Sequence, residues 1–433
     1  LLETRVMVKK ALSKARAAGH EALARMLDAR QESLKLIANV TYGYTTASFS
    51  GRMPMIELAD AIVQTGRETL EDAIRYIEAN ADWGARVVYG DTDSVFVRLA
   101  GASKMDAFRI AREIAAQVTA RYKAPIRLKF EKVYLPCALL TKKRYVGYAW
   151  EDEGQTEPIF DAKGIETVRR DTAPVTSRIL EKVLRVLFET SDVSAIKAVL
   201  NSEWRAIHAD ALDMREYMFA KEVKLGSYAA GRVPPPVALV AQRRMRRDPR
   251  AEPRYKERVP YLVVYGPPDA KLYEQVVDPR EVLRDLSLVI NAKYYCVNNV
   301  NAALDRVLSQ IGVDVAMWYA RLGKIRRAAG DRPRATRDEP GATIATFFAS
   351  RLCPACREAD VIGTADYCTT CAASPVLARY RVAMRAHAQE RERARLRAIC
   401  LKCVGEAAGV EGVDACVEIE CPVLWARRKT YLW

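Results

Sequence analysis

A chain of 433 residues, half of them hydrophobic and 28% charged, is globular in composition, too long for one core, and predicts three or more domains. Its formal net charge of +15 points to a polyanionic partner, nucleic acid before membrane, since no basic amphipathic anchor stands out. No apolar run approaches the length that crosses a bilayer, no signal peptide is visible, and ten cysteines in so long a chain exclude a small secreted disulfide framework.

The first residues are already helix-like, so the chain reads as the C-terminal part of a longer protein. Residues 1 to about 44 predict a helical hairpin broken near Gly19. On the second helix Lys35, Asn39 and Tyr42 stand at i, i+4 and i+7, followed by Gly43. A lysine and an amide on one face can grip a triphosphate, and an aromatic beside glycine can pack on a flat base; an ordinary solvated stripe has the same spacing. Arg5 and Lys9, at i and i+4 on the first helix, would complete a phosphate clamp if both cationic faces met. Another helix is expected from Met55 to about Asn80.

The stretch "VVYGDTDSVFV", Val87 to Val97, then predicts a hairpin with Asp91 and Asp93 at its tip. Side chains at i and i+2 share a face of extended chain, so both carboxylates would point the same way. They either make a turn or hold a metal that relieves their repulsion. A helix from Asp106 to about Tyr122 and strands around "IRLKFEKVYL" and "RYVGYAW" follow, giving helices alternating with an antiparallel sheet, an α+β class. From Thr172 to about Arg327 the pattern is mainly helical, interrupted by Pro234 to Pro236 and a strand-like "VPYLVVYG". The run Arg243 to Arg258 holds eight Lys or Arg against three acids; it suits duplex phosphates or a solvated loop equally. Residues 328–341 have the composition of a flexible linker.

Eight of the ten cysteines lie beyond that linker. Cys353, Cys356, Cys368 and Cys371 make C-x2-C-x11-C-x2-C, the pattern of zinc held by four thiolates. Cys400, Cys403, Cys416 and Cys421 make C-x2-C-x12-C-x4-C, which holds either zinc or an iron–sulfur cluster. A long charged helix is expected to hold the two groups apart, with one face free to receive a partner. Cys137 and Cys296, in apolar or aromatic strand-like sequence, are expected in the core. The chain's three histidines suggest no catalytic role.

"KLIANVTYG" some 50 residues before "YGDTDS" resembles the B-family DNA polymerases, whose fingers carry Lys-x3-Asn-x2-Tyr-Gly and whose palm carries Tyr-Gly-Asp-Thr-Asp-Ser. "KKRY" (Lys142, Lys143, Arg144, Tyr145) matches the element that holds the template-primer duplex, although alone it reads as a solvated charge run. "KGIETVRRD", with Lys163, Gly164, Arg169 and Arg170, resembles the segment that tracks the primer backbone. Val40 after Asn39, where delta-type enzymes usually have serine, makes the stretch more similar to the zeta-type, translesion branch.

The resemblance implies a right-hand fold: fingers over residues 1–45, palm over 46–171, mainly helical thumb over 172–344, and a two-lobed cysteine-rich domain over 345–433. It implies two Mg²⁺ ions about 3.5–4 Å apart on the palm aspartates, Asp93 as a ligand and Asp91 supporting it or serving as a second. Arg5, Lys9, Lys35 and Asn39 would bind the dNTP triphosphate, with Tyr42 and Gly43 beneath the nascent base pair. Residues 353–371 would hold Zn²⁺, and 400–421 a [4Fe-4S] cluster where the regulatory B-subunit docks, with other accessory subunits nearby, in the nucleus. The family's other metal-binding motif, of the type Asp-Phe-x-Ser-Leu-Tyr-Pro, does not occur in these residues, nor does an exonuclease-type acidic motif, so synthesis is expected only from a longer chain. A non-catalytic scaffold with the polymerase fold and a delta-type replicative subunit are the alternatives.

Overall fold

Apolar residues at helical spacing and a left-handed glycine between them build the first element of the fold. Helices α1 (Leu2–Ala17) and α2 (Glu21–Thr46) turn back on each other at Gly19, whose φ of +72° suits glycine. Their seam buries Val8, Leu12, Ala15 and Leu27, with Ala24 and Leu34 beside them. Arg16 to Asp28 (3.2 Å) and Arg5 to Gln31 (3.4 Å) tie the helices along their length.

The computed structural model describes all residues except 48–50, 52–53, 125, 230, 268–269, 286–287, 323–350, 358, 362–364, 406–407 and 431–433. It resolves into two units, Leu1–Leu135 with Ala149–Pro158, and Pro136–Tyr148 with Ile159–Trp433. The expected linker lies outside the described residues. Among the described residues no helix is long and apolar enough to cross a membrane.

In the first unit α3 (Ile56–Ala79) and α4 (Lys104–Ala120) pack with the hairpin β1 (Ala85–Asp91) and β2 (Ser94–Leu99). Ala73, Ile77, Trp83, Ile114 and Val118 are buried together there, with Val87, Val95, Val97 and Leu128 against them. The strand expected over "IRLKFEKVYL" forms only from Val133 onward. Leu128 shows the reason: its backbone N–H and carbonyl both bond the Thr119 hydroxyl of α4, at 2.9 and 3.1 Å. Phe130 meets Phe108 of α4 edge-on at 5.4 Å. The apolar alternation is real, yet it packs on a helix and leaves the backbone unladdered.

The second unit carries the hairpin of β3 (Val133–Thr141, from Pro136 on) and β4 (Arg144–Trp150, as far as Tyr148), with β5 (Ile159–Lys163) beside β4. Next come α5 (Pro174–Thr190), α6 (Val193–His208), β6 (Phe219–Glu222), α7 (Pro236–Arg247), β7 (Arg258–Val263) and β8 (Val276–Val277). The three last-named strands pair antiparallel in the order β6-β7-β8. Then α8 (Pro279–Arg284), α9 (Ala292–Tyr294), a π-helical stretch (Tyr295–Asn301), α10 (Ala302–Leu308) and α11 (Val315–Ala320) close a large core around Trp204, Tyr217 and Tyr295. Two of its large buried side chains are paired: Tyr295 donates to the Tyr217 carbonyl at 2.7 Å, and Trp204 Nε1 to Asn301 Oδ1 at 2.9 Å.

Two expectations change here. Cys296 is buried as expected, but in the π-helical stretch, where burial pushes its thiol up to about 12. Cys137 lies on β3 and is exposed, in a run with Leu135 and Pro136 that is exposed as well.

Beyond the linker, β9 (Arg351–Leu352) pairs with β10 (Asp360–Val361), followed by α12 (Thr369–Ala372) and the long charged helix α13 (Pro375–Val404). Two short helices, α14 (Gly409–Ala415) and α15 (Pro422–Lys429), end the described chain.

Candidate functional site

Asp91 ends β1 and pairs with Ser94, while Thr92 and Asp93 form the turn, Thr92 at φ +57°. The chain therefore bends between the two acids, and the extended-strand rule for i and i+2 does not apply to them. Asp93 N donates to the Asp91 carbonyl at 2.6 Å, and the Thr92 hydroxyl to Asp91 Oδ1 at 3.2 Å. Asp91 is half-buried and Asp93 exposed. An irregularity between Val87 and Tyr89 leaves Val88 without a partner and re-aims the tip, a device common beside sites. Two carboxylates on a tight tip suit a hard, oxygen-seeking cation.

On the α1/α2 hairpin the cations converge on an acid that sequence reasoning missed. Glu32 Oε2 lies 3.6 Å from Lys35 Nζ, and Glu32 Oε1 accepts from Gln31 Nε2 at 2.8 Å. The Gln31 amide first, then Lys35, with Arg5 adding, hold the Glu32 carboxyl below its ordinary range. The two helices thus bring Arg5 and Lys35 to one place. Arg5 Nε is buried with no hydrogen-bond partner among the described residues. Lys9 is exposed; Asn39 and Tyr42 line a shallow cleft with Leu1, Leu2, Ala38 and Thr41. Gly43 stands inside α2, where a Cβ would meet nothing within 4 Å. Nothing in the chain's own packing requires glycine there, although it costs a helix about 1 kcal/mol against alanine.

In the second unit the β3–β4 turn is made by Lys142 and Lys143, the latter at φ +62°. Gly164 packs against it: a Cβ there would lie 2.2 Å from the Lys143 carbonyl oxygen, and its own φ is +68°. Several of the expected duplex-binding cations carry a carboxylate: Lys163 with Asp161 at 3.0 Å, Arg144 with Glu166 at 4.0 Å, and Arg169 with Asp171 at 2.8 Å. Lys142 is exposed and Tyr145 half-buried. Half of the eight cations in the basic run are tied into the fold, while Arg246, Arg250, Arg254 and Lys256 are exposed. Arg243 donates to the carbonyls of Val276 (2.6 Å) and Tyr273 (3.2 Å), Arg244 pairs with Asp278, and Arg247 with Glu281 at 2.7 Å. Arg258 reaches the Ala220 carbonyl at 2.7 Å.

The first cysteine group closes. The four Sγ atoms of Cys353, Cys356, Cys368 and Cys371 all lie within 4.8 Å of one another, three of the residues buried. Cys356 and Cys368 are 3.7 Å apart, and Cys368 N donates to Cys353 Sγ at 3.4 Å. Burial pushes the Cys353 thiol up, but backbone N–H groups of Cys368, Cys356 and Ala355 outweigh it and draw it down to about 6, which favours the ligating thiolate. Arg385 of α13 clasps the Pro354 and Ala355 carbonyls behind the group.

The second group is carried by three helices. Cys400 and Cys403 ride on α13, Cys416 follows α14, and Cys421 caps α15. Burial first, with Cys421, Cys416 and Cys403 adding, raises the Cys400 thiol against the pull of Arg427, so the four share one electrostatic neighbourhood. Just beyond Cys421, Trp425 is fully buried in the large core. Arg428 donates to the Val282 carbonyl and to that of Asp285 (3.1 Å), and Lys429 to those of Asp210 (3.2 Å) and Leu212. This anchorage was not read from the sequence; the signal available was a tryptophan followed by consecutive cations after Cys-Pro.

Residues 1–311 match the sequence profile of DNA polymerase family B. The chain belongs to DNA polymerase family B. It is 45% identical over 433 residues, 99% of its length, to the DNA polymerase zeta catalytic subunit of Arabidopsis thaliana, covering 23% of that protein. It is 44% identical over 98% of its length to the zeta catalytic subunit of Homo sapiens, covering 13% of it. The delta catalytic subunit of Schizosaccharomyces pombe is 29% identical over 93% of the chain and is covered over 36% of its length. The similarity to zeta catalytic subunits over nearly the whole chain agrees with the branch indicated by Val40. This member of family B spans 13% to 28% of the length of its zeta-type relatives.

Proposed function

We propose that this chain is part of a zeta-type DNA-directed DNA polymerase catalytic subunit, which adds dNTPs to a primer 3′-hydroxyl opposite damaged template in the nucleus. Its parts are fingers over residues 1–45, palm over 46–171, thumb over 172–344 and a cysteine-rich domain over 345–433. The observation that carries the reading is the Asp91–Asp93 hairpin tip within a chain so similar to zeta catalytic subunits.

Asp91 and Asp93 would hold Mg²⁺, which supplies charge neutralisation at the reacting phosphate and favours ionisation of the 3′-hydroxyl. The chain's own residues do the positioning. Arg5 and Lys35 exchange Glu32 for the triphosphate, Lys9 and Asn39 add contacts, and Tyr42 stacks under the nascent pair while Gly43 leaves room for it. Lys142, Lys143, Arg144 and Tyr145, with Lys163, Gly164, Arg169 and Arg170, hold the template-primer duplex. The intact tip favours an enzyme over a scaffold, because paired acids without a cation only repel. Template-directed extension of a primer by the full-length protein in Mg²⁺ tests the reading; a full-length protein that binds duplex but extends nothing overturns it.

For the tail, the reading assigns Zn²⁺ to the first group. Thiolates about 2.3 Å from a central zinc stand about 3.8 Å apart in a tetrahedron, and the 3.7 Å separation of Cys356 and Cys368 suits that figure. The second group is assigned a [4Fe-4S] cluster and the docking of a regulatory B-subunit and further accessory subunits. Anaerobically purified protein is expected to contain one zinc and four irons with labile sulfide; a colourless, zinc-only preparation contradicts the cluster.

A further inference from the structure

The carboxylates beside the duplex-binding cations are not alike. Asp161 and Asp171 each pair with a cation two residues away in the same segment. Glu166 joins separate segments. Its Oε1 lies 3.2 Å from Arg306 Nη2 of α10 and 4.0 Å from Arg144 Nη1 at the β3–β4 turn, and its own carbonyl accepts from the Ser177 hydroxyl of α5 at 2.7 Å. The Glu166 side chain is 14% exposed, against 32% for Arg144 and 48% for Arg306. The anchor is rigid, since Ala303, Leu304, Val307 and Leu308 of α10 are all buried.

We infer that Glu166 is a positioning residue for duplex binding: held by Arg306, it orients the Arg144 guanidinium toward the nucleic-acid backbone. This rests on the reading of the turn and of Lys163–Arg170 as duplex-binding. In Coulomb terms an acid beside a phosphate-binding array is a cost, and its removal should tighten binding. At 4.0 Å, however, the carboxylate makes no hydrogen bond to Arg144; its charge draws the guanidinium to the turn and leaves every donor of the fork free for a paired phosphate contact. The positioning role therefore predicts the opposite sign.

The test is equilibrium binding of a template-primer duplex to the full-length protein across a salt series, for Glu166→Gln, Arg144→Ala, their double variant, Arg306→Gln and Lys142→Ala. Glu166→Gln is expected to bind several-fold more weakly despite the lost negative charge. The slope of log affinity against log salt should fall by about 1, as for one lost phosphate contact. The double variant should be no weaker than Arg144→Ala alone. Arg306→Gln, which leaves the acid in place but frees it, should give the same slope change, and supplies the answer if Glu166→Gln does not fold. Binding as tight as or tighter than the parent in both Glu166→Gln and Arg306→Gln, with Lys142→Ala still weakened, overturns the inference alone. No loss in either Lys142→Ala or Arg144→Ala overturns the duplex-binding reading beneath it.

Discussion

At the scale of single residues, Glu32 and Glu166 are acids set among cations, one beside Lys35 and the other beside Arg306. The first four cysteines were legible in the sequence because metal ligation fixes both residue type and spacing, and the fold gathers their Sγ atoms. Glu32 and Glu166 were not, since an acid among cations reads as solvation until a fold brings Arg5 to one and Arg306 to the other. Gly164 was legible only as part of a motif; the structure gives its reason. A methyl group there meets the Lys143 carbonyl on a backbone already at positive φ. Gly164→Ala should displace the Lys142–Lys143 turn, costing about 1–3 kcal/mol of stability and weakening duplex binding. Unchanged denaturation midpoint and affinity would contradict that placement.

At the scale of elements, long amphipathic helices were readable nearly to their ends, because a 3.6-residue period sustained over many turns has no competing interpretation. Shorter pieces were ambiguous. Residues 126–130 alternate like a strand, but Leu128 gives its backbone bonds to Thr119, and the aromatic run around Cys296 winds into a π-helical stretch. Pairing between helices is equally invisible to spacing. Glu203 of α6 bonds Lys182 at 2.7 Å and Arg178 at 3.0 Å across to α5, and Arg178 reaches Glu216 at 3.1 Å. Burial pushes the Glu203 carboxyl up, but these cations outweigh it and hold it below the ordinary value of 4.5. A depressed carboxylate stabilises the fold fully above the unfolded value and loses that contribution as pH falls through the folded one. Stability should therefore decline on the acid side of 4.5, and Glu203→Gln should flatten that decline while lowering stability at neutral pH. An acid limb unchanged by the substitution, followed by thermal unfolding across pH, would contradict the network's role.

At the scale of the molecule, the basic surplus pointed to a polyanionic partner, and membership of family B agrees with a nucleic-acid one. The division into units was less legible than the motifs, because it depends on which cores merge. The last helix illustrates this: Trp425, Arg428 and Lys429 fasten the end of the second cysteine group to the large core, a long-range contact whose partners the local pattern does not name. The central claim concerns the hairpin tip, and one comparison tests it directly. Full-length protein and its Asp93→Asn variant are assayed side by side for single-nucleotide addition to a template-primer in Mg²⁺, with duplex affinity measured in parallel. The account predicts that extension is abolished in the variant while duplex binding persists; extension at the parent rate would contradict it.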